Sequence, residues 1–232
     1  MDFVLLRDAF WGLTFDGLAL GAIYALISLG YTLVYGVLRL INFAHSEVFM
    51  IGTFGSLVAT GLIGVKVEDD PLTGSKMILT LLFALVIAML SSAIAAVLVE
   101  FVAYRRLRKR GATKLATLIS AIGVSISLVE LFRIITDSLP REFPRIMDKT
   151  FLVSVAGADI RNDKVIVIVA AGLMMVALDQ FISKTRLGKG IRAVSMDENT
   201  ATLMGVNINR VITVTFFAGG LMAGAAAFFY IL

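Results

Sequence analysis

The sequence predicts an all-α fold, a polytopic transmembrane helical bundle of about six spans, and three observations predict it. Residues 17–38, 48–65, 77–99 and 211–232 contain no Asp, Glu, Lys or Arg, and each reaches the length of about 18 residues that marks a membrane-crossing candidate. Apolar residues make up 59% of the chain and the mean hydropathy is +0.93, which leaves too few polar side chains to cover a soluble surface. The loops alternate between heavy and light Lys/Arg content, as topology in a charged bilayer demands.

The elements follow in order. The opening MDFVLLRDAFW lacks the basic start and small-residue cleavage site of a signal peptide, so the expectation is a retained segment lying in the interface. The first span, 17–38, carries Gly17, Gly21 and Ala25 four residues apart. Close helix packing in lipid needs small residues, because burying apolar surface there gains little. The same stripe recurs as Gly52, Ser56, Thr60 and Gly64 in 48–65, as Ala84, Ala88, Ser92 and Ala96 in 77–99, and as Gly219, Ala223 and Ala227 in 211–232. Two weaker spans complete the six. Residues 115–136 are apolar apart from Glu130 and Arg133, and 165–182 hold only Asp179. Three residues apart on one helix, Glu130 and Arg133 are expected to satisfy each other near the outer surface.

Arg105, Arg106, Arg108, Lys109, Arg110 and Lys114 stand against Glu100 between spans three and four, and Lys184, Arg186, Lys189, Arg192 and Arg210 against Asp197 and Glu198 between five and six. Both loops read as cytoplasmic. Loops 66–76 and 137–164 balance their bases with acids and read as outward, which puts the N-terminus outside and Arg39 inside.

The connection between the first two spans is the most polar apolar-flanked segment. Asn42 is a good N-cap type, and a helix starting there sets His45, Phe49, Gly52 and Ser56 on one face. Residues 39–47 therefore form either a tight cytoplasmic hairpin or a broken helix whose polar groups line a cavity at membrane depth. The ordinary reading of His45 beside Glu47 is a satisfied structural pair. Few other polar groups occupy the spans, so Tyr24, Ser28, Tyr31, Thr32, Tyr35, Asn42, His45 and Glu47 are the candidates for a substrate path, set against plain helix-to-helix hydrogen bonding.

The segment 183–210 is long and organised. Gly188 and Gly190 are expected to break the fifth span's helix, residues 191–204 to form a short amphipathic helix, and Gly205 to close it as a C-cap. An element of that kind facing the cytosol serves either to dock a soluble partner or to lie on the membrane surface.

The chemistry available is sparse. With no Cys and one His, thiolate metal sites, disulfides and most metal or acid–base catalysis are unsupplied, so no catalytic residue and no metal are assigned. No G-x-x-x-x-G-K-S/T loop occurs, so the chain carries no P-loop for nucleotide. The basic loops lack interleaved aromatics or a reading module, which argues against nucleic acid. An ion-coupled secondary transporter would have only Glu47, Glu130 and Asp179 as intramembrane carboxylates, all near span ends.

GLALGAIYALISLGYTLVYGVLRLINFAHSEVFMIGTF, LATLISAIGVSISL and TRLGKGIRAVSMDENTATLMGVNINRVITVTFFAGGLMAG together resemble the inner-membrane permease subunits of branched-chain amino acid ABC importers, the shorter of the two permeases above all. The likeness covers essentially the whole chain; Ser46 stands where NFAHGE would have Gly. The resemblance implies a single permease domain over 1–232 in the cytoplasmic membrane of a prokaryote, with no cofactor of its own. It also implies a homologous second permease, two ATPase subunits that bind ATP, an extracytoplasmic binding protein and surrounding lipid as partners. Residues 183–210 become the ATPase-coupling loop, with Arg192, Ala193, Asn199, Gly205 and Asn207 as its candidates. Urea, short-chain amide and simple-sugar permeases of the same superfamily are the alternative. Relatives continue with further spans where this chain stops at Leu232 inside an apolar run, so the expectation is a C-terminally shortened permease.

Overall fold

Apolar runs of this length can satisfy their backbone in lipid only as helices, and six helices long and apolar enough to cross a membrane are present among the described residues. The structure is a computed structural model that describes residues 3–155 and 158–232. Helix α1 is Phe3–Leu38, α2 His45–Ile63 and α3 Gly74–Val99. The third span continues without interruption through a π-helical turn, Glu100–Arg105, and a last α turn, Arg106–Lys109. Helix α4 is Lys114–Ile135, α5 Asn162–Lys184, α6 Arg186–Met196, α7 Glu198–Leu203 and α8 Ile208–Ile231. Between α4 and α5 two short strands, β1 (Phe151–Val155) and β2 (Ala158–Arg161), pair antiparallel with Val153 opposite Ile160. This hairpin stands in the outer loop, which the sequence leaves as irregular chain.

Helix α8 is the centre of the bundle: 78% of its apolar window is buried, against 11% for α4 and 17% for α5. Its small residues explain the position. A Cβ on Gly220 would lie 2.6 Å from Ala93 Cα, one on Gly224 2.4 Å from the Ala88 carbonyl oxygen, and one on Gly219 2.9 Å from the Gly30 carbonyl oxygen. Helices α3 and α1 therefore meet α8 backbone to backbone, as small-residue packing allows. The stripe Ala84, Ala88, Ser92, Ala96 is buried throughout, as are Gly52, Ser56 and Thr60 on α2. The fourth expected stripe differs: a Cβ on Gly17 or Gly21 would meet nothing within 4 Å. That side of α1 is open because α8, α5 and α6 all contact its other sides.

The two sets of loops gather at opposite ends. On the outer end, Leu72 N–H donates to the Ile146 carbonyl (3.0 Å), and residues 143–149 share a cavity with Ile231 and Leu232. Lys164 pairs with Asp16 there, and Arg161 with Asp163 at 2.5 Å. The Glu130–Arg133 pair is bidentate (2.9 and 2.5 Å), exposed and self-satisfied, as its spacing predicts. At the inner end, Arg39 reaches α6, and Arg105 and Arg108 reach α8.

Candidate functional site

Helix α1 ends at Leu38, and Arg39 turns the chain with a positive φ of 50°. The chain then folds back into the bundle. Asn42 is 3% exposed; its Oδ1 accepts from Ala44 N–H (3.2 Å) and from the Tyr104 hydroxyl (3.2 Å), which also lies 3.4 Å from the Ile41 carbonyl. Helix α2 starts at His45 rather than at Asn42, so Asn42 is no N-cap. It braces the turn before the helix instead, because its side chain is held by the Tyr104 ring from the π-helical turn.

His45 is buried where α1 crosses α8: a Cβ on Gly30 would lie 3.1 Å from His45 Nε2 and 2.7 Å from the Gly219 carbonyl oxygen. Tyr31 meets the imidazole edge-on, centroids 5.7 Å apart. One turn further, Ser92 Oγ donates to the Val48 carbonyl (2.8 Å), and Ser92 precedes Glu100 by eight residues, about 12 Å of helix. The first turn of α2 is thus enclosed by protein. Residues 39–44 are non-helical, and Asn42 and His45 are buried within the bundle. His45 makes no pair with Glu47: Glu47 is buried elsewhere and takes a hydrogen bond from the Ser46 hydroxyl (3.0 Å), while His45 Nε2 has no hydrogen-bond partner among the described residues.

The eight path candidates therefore split. Asn42 and His45 lie along one buried seam that also holds Tyr104, half-buried Tyr31 borders it at His45, and Glu47 is buried apart from His45. Tyr24 and Tyr35 are 58% and 50% exposed, and with Ser28 and Thr32 they line the open side of α1 together with Gly21. The Thr32 hydroxyl bonds only its own helix, at the Leu29 carbonyl (3.2 Å).

Sequence reasoning counted Glu100 only as an offset to a basic loop and passed over Tyr104. Glu100 is fully buried, and the π-helical turn sets the residue five positions on against it. Arg105 donates to its Oε1 (3.2 Å) and Arg108 lies 3.4 Å away. The same guanidinium groups reach Thr213 Oγ1 (2.5 Å) and Asn209 Oδ1 (2.7 Å), which ties the third span to the start of α8. The available signal was a lone acid followed by Arg at five and eight residues.

At the inner end the segment 183–210 forms two helices rather than one. The break from α5 falls at Thr185, whose Oγ1 accepts from Gly188 N–H (2.9 Å), not at Gly188 or Gly190. Gly188 is needed because α6 folds back on α5: a Cβ there would lie 2.2 Å from the Ile182 carbonyl oxygen. Asp197 caps α7, accepting from the Thr200 hydroxyl (2.6 Å) and Asn199 N–H (2.9 Å), and those bonds, the hydroxyl first, hold its carboxyl below the ordinary value of 3.8. Gly205 closes α7 with φ 82°, Val206 N–H reaching back to the Ala201 carbonyl and Gly205 N–H to Thr202. Asn207 caps α8 by accepting from Arg210 N–H (3.0 Å). Arg192 donates to the Ser183 carbonyl (3.3 Å), Ala193 is half-buried and Asn199 exposed. Arg39 donates to the last carbonyls of α6, Ser195 (3.1 Å) and Met196 (3.0 Å), where a cation also suits the helix dipole. Met196, Leu203 and Met204 project from this element at 79%, 87% and 79% exposure. Composition favoured its polar residues, and these three apolar ones were missed.

A polytopic helical bundle, locked by small residues, with an anchored helical element projecting at its basic end, is the architecture of a multi-pass membrane protein. The family described as branched-chain amino acid transport system, permease component, matches residues 13–232, and the chain belongs to it. It is 36% identical over 215 residues to the high-affinity branched-chain amino acid transport system permease protein BraD of Pseudomonas aeruginosa, and 35% over 215 residues to the protein of that description called LivH in Escherichia coli K12. The LivH protein of Salmonella typhimurium is 34% identical over 216 residues. Each alignment covers 91% of this chain and 67% of the relative. No solved structure matches. These relatives are transport permease components, not enzymes.

Proposed function

We propose that this chain is the membrane-spanning permease subunit of an ATP-driven importer that carries branched-chain amino acids across the cytoplasmic membrane of a prokaryote. Hydrolysis takes place on two separate ATPase subunits, a homologous second permease completes the pathway, and an extracytoplasmic binding protein delivers substrate. The chain binds no cofactor. The observation that carries the coupling role is the α6–α7 element. Arg39 ties it to the end of α1, Thr185 and Asn207 cap the helices at its two junctions, and Met196, Leu203 and Met204 are exposed. Exposed apolar side chains on a rigid, capped support suit a protein partner. A partner that grips them differently in two states shifts the bundle between them, whereas one gripping both equally shifts nothing. The substrate specificity follows the names of the relatives.

Proteoliposomes containing the chain with its co-expressed partner subunits and binding protein test the reading. Labelled leucine, isoleucine or valine is expected to enter only with ATP on the ATPase side. Uptake driven by a proton or sodium gradient with the ATPases absent overturns it.

A further inference from the structure

Two cavities lie along α8, the inner one at the base of the projecting α6–α7 element, where Ala193, Gly205 and Asn207 help to line it. The first, of about 470 Å³, opens at the inner end between α6 and the start of α8, and Arg186, Lys189 and Arg210 line it with Val206 and Val211. Among the described residues none of these three cations has a carboxylate or hydrogen-bond partner for its side chain. The loop's acids lie elsewhere: Asp197 caps α7, and Glu198 faces a different cavity with Tyr104 and Arg108. The second, of about 430 Å³, is a groove between α3, α5 and α8 lined by apolar side chains alone, among them Met89, Met174, Phe181, Phe217 and Leu221.

Their α8 residues fall on one line. Arg210, Val214, Phe217 and Leu221 are spaced at four, three and four residues, so they form one stripe, with Arg210 in the first cavity and the other three in the second. From Arg210 to Leu221 the stripe runs about 16 Å, close to half of a bilayer's hydrocarbon core of about 30 Å. A cationic mouth at the cytoplasmic surface above an apolar channel one leaflet deep has the shape and charge of a single lipid.

We propose that the α5–α8 seam is a binding site for an anionic phospholipid of the cytoplasmic leaflet, its phosphate held by Arg186, Lys189 and Arg210 and one acyl chain laid in the groove. Charge selects the occupant. A zwitterionic lipid brings no net charge to the three clustered cations, whereas an anionic headgroup offsets part of their charge at the level where that leaflet already concentrates negative charge. The mouth is walled by α6 and by Gly205 and Asn207, so the lipid also braces the base of the projecting element. The site depends only on the orientation of the spans, and its test is separate from any transport measurement.

The full chain is incorporated into nanodiscs of mixed phosphatidylglycerol and phosphatidylcholine, released into detergent and weighed by native mass spectrometry. One retained phosphatidylglycerol, in several-fold excess over phosphatidylcholine, is expected. The triple variant R186Q, K189Q, R210Q loses that adduct at least five-fold, while R106Q, K109Q, R110Q, which removes equal charge from the other basic loop, keeps it. Ala177→Phe, which fills the groove from its exposed side and leaves the mouth intact, also loses it. Glycerophosphoglycerol, the headgroup without chains, does not displace it. Equal retention of the two lipids, equal loss in both charge variants, or an adduct indifferent to Ala177→Phe overturns the site. So does an adduct driven off by the free headgroup, or one excluded when the partner subunits are bound because protein fills the seam.

Discussion

Gly224→Ala strikes the crossing of α8 and α3, and its cost can be worked from two distances. The new Cβ would lie 2.4 Å from the Ala88 carbonyl oxygen and 2.6 Å from Met89 Cα. Both atoms are backbone in a helix interior, so neither can rotate away. Against an ordinary contact of 3.4 Å the shortfall is about 1 Å, and α3 must move as a body to supply it. That movement also disturbs α2, because Ser92 of α3 donates to the Val48 carbonyl at 2.8 Å and lies against Gly52. Overpacking of this kind costs roughly 1–3 kcal/mol, offset by at most about 1 kcal/mol of helix propensity gained on replacing Gly. Gly21→Ala makes the same chemical change where nothing lies within 4 Å, so it keeps the propensity gain of up to about 1 kcal/mol without the clash. The two variants are therefore expected to shift stability in opposite directions, with a gap on the order of 2 kcal/mol. Circular dichroism of the full chain in mixed micelles, titrated with dodecyl sulfate, measures both midpoints. Coinciding midpoints, or a Gly21→Ala loss as large as that of Gly224→Ala, would refute the packing argument.

Other perturbations follow from single contacts. Glu100→Gln leaves two half-buried guanidinium groups facing a neutral amide and is expected to cost on the order of 3 kcal/mol in the same titration; Arg105 and Arg108, about a quarter exposed, keep Thr213 and Asn209 and hold the loss to that figure. Tyr104→Phe removes one donor from Asn42 Oδ1, which retains Ala44 N–H, so a loss of about 1 kcal/mol is expected. For Asp197 the folded carboxyl titrates below 3.8. Its capping contribution is therefore complete above that pH and is lost as pH falls through the lower folded value. Amide exchange of 198–203 should speed up in that window, and Asp197→Asn, which still caps, should show no such step. The pair L203S, M204S is expected to lower capture of the ATPase subunits at least ten-fold with the unfolding midpoint unchanged, since both side chains are exposed; undiminished capture counts against the docking surface.

Much of the bundle was legible because lipid restricts the choices: charge-free runs must be helices, and basic loops must collect on one side. Six spans, the Glu130–Arg133 pair and the Gly205 cap all come from local spacing, and each is present as read. What spacing could not supply is partnership between distant positions. Asn42 and Tyr104 are 62 residues apart, and Arg39 bonds carbonyls at 195 and 196. The open side of α1 has the same cause: Gly17 and Gly21 have the spacing of a packing face, but nothing local says whether a helix lies against it. Glu100 was obscured for a different reason. A π-helical turn changes the periodicity on which side-chain pairing is judged, and a pair five residues apart falls outside ordinary helical neighbours. The exposed Met196, Leu203 and Met204 were missed because Asp197 and Glu198 between them give the segment a polar average.

Residues 39–44 are where these distant contacts converge. Arg39 holds the end of α6, Asn42 holds Tyr104 in the π-helical turn, and Tyr104 packs on Phe216 of α8 with ring centroids 5.3 Å apart. Next to Tyr104, Arg105 joins Glu100 to Thr213 on the same helix. A continuous helix in place of this break would carry a displacement of α6 into α1 as a whole. A short non-helical segment can absorb it in a few backbone angles. Because it is pinned at one end to the projecting element and at the other to the seam beside His45, those angles cannot change without moving the Tyr104 ring or the first turn of α2.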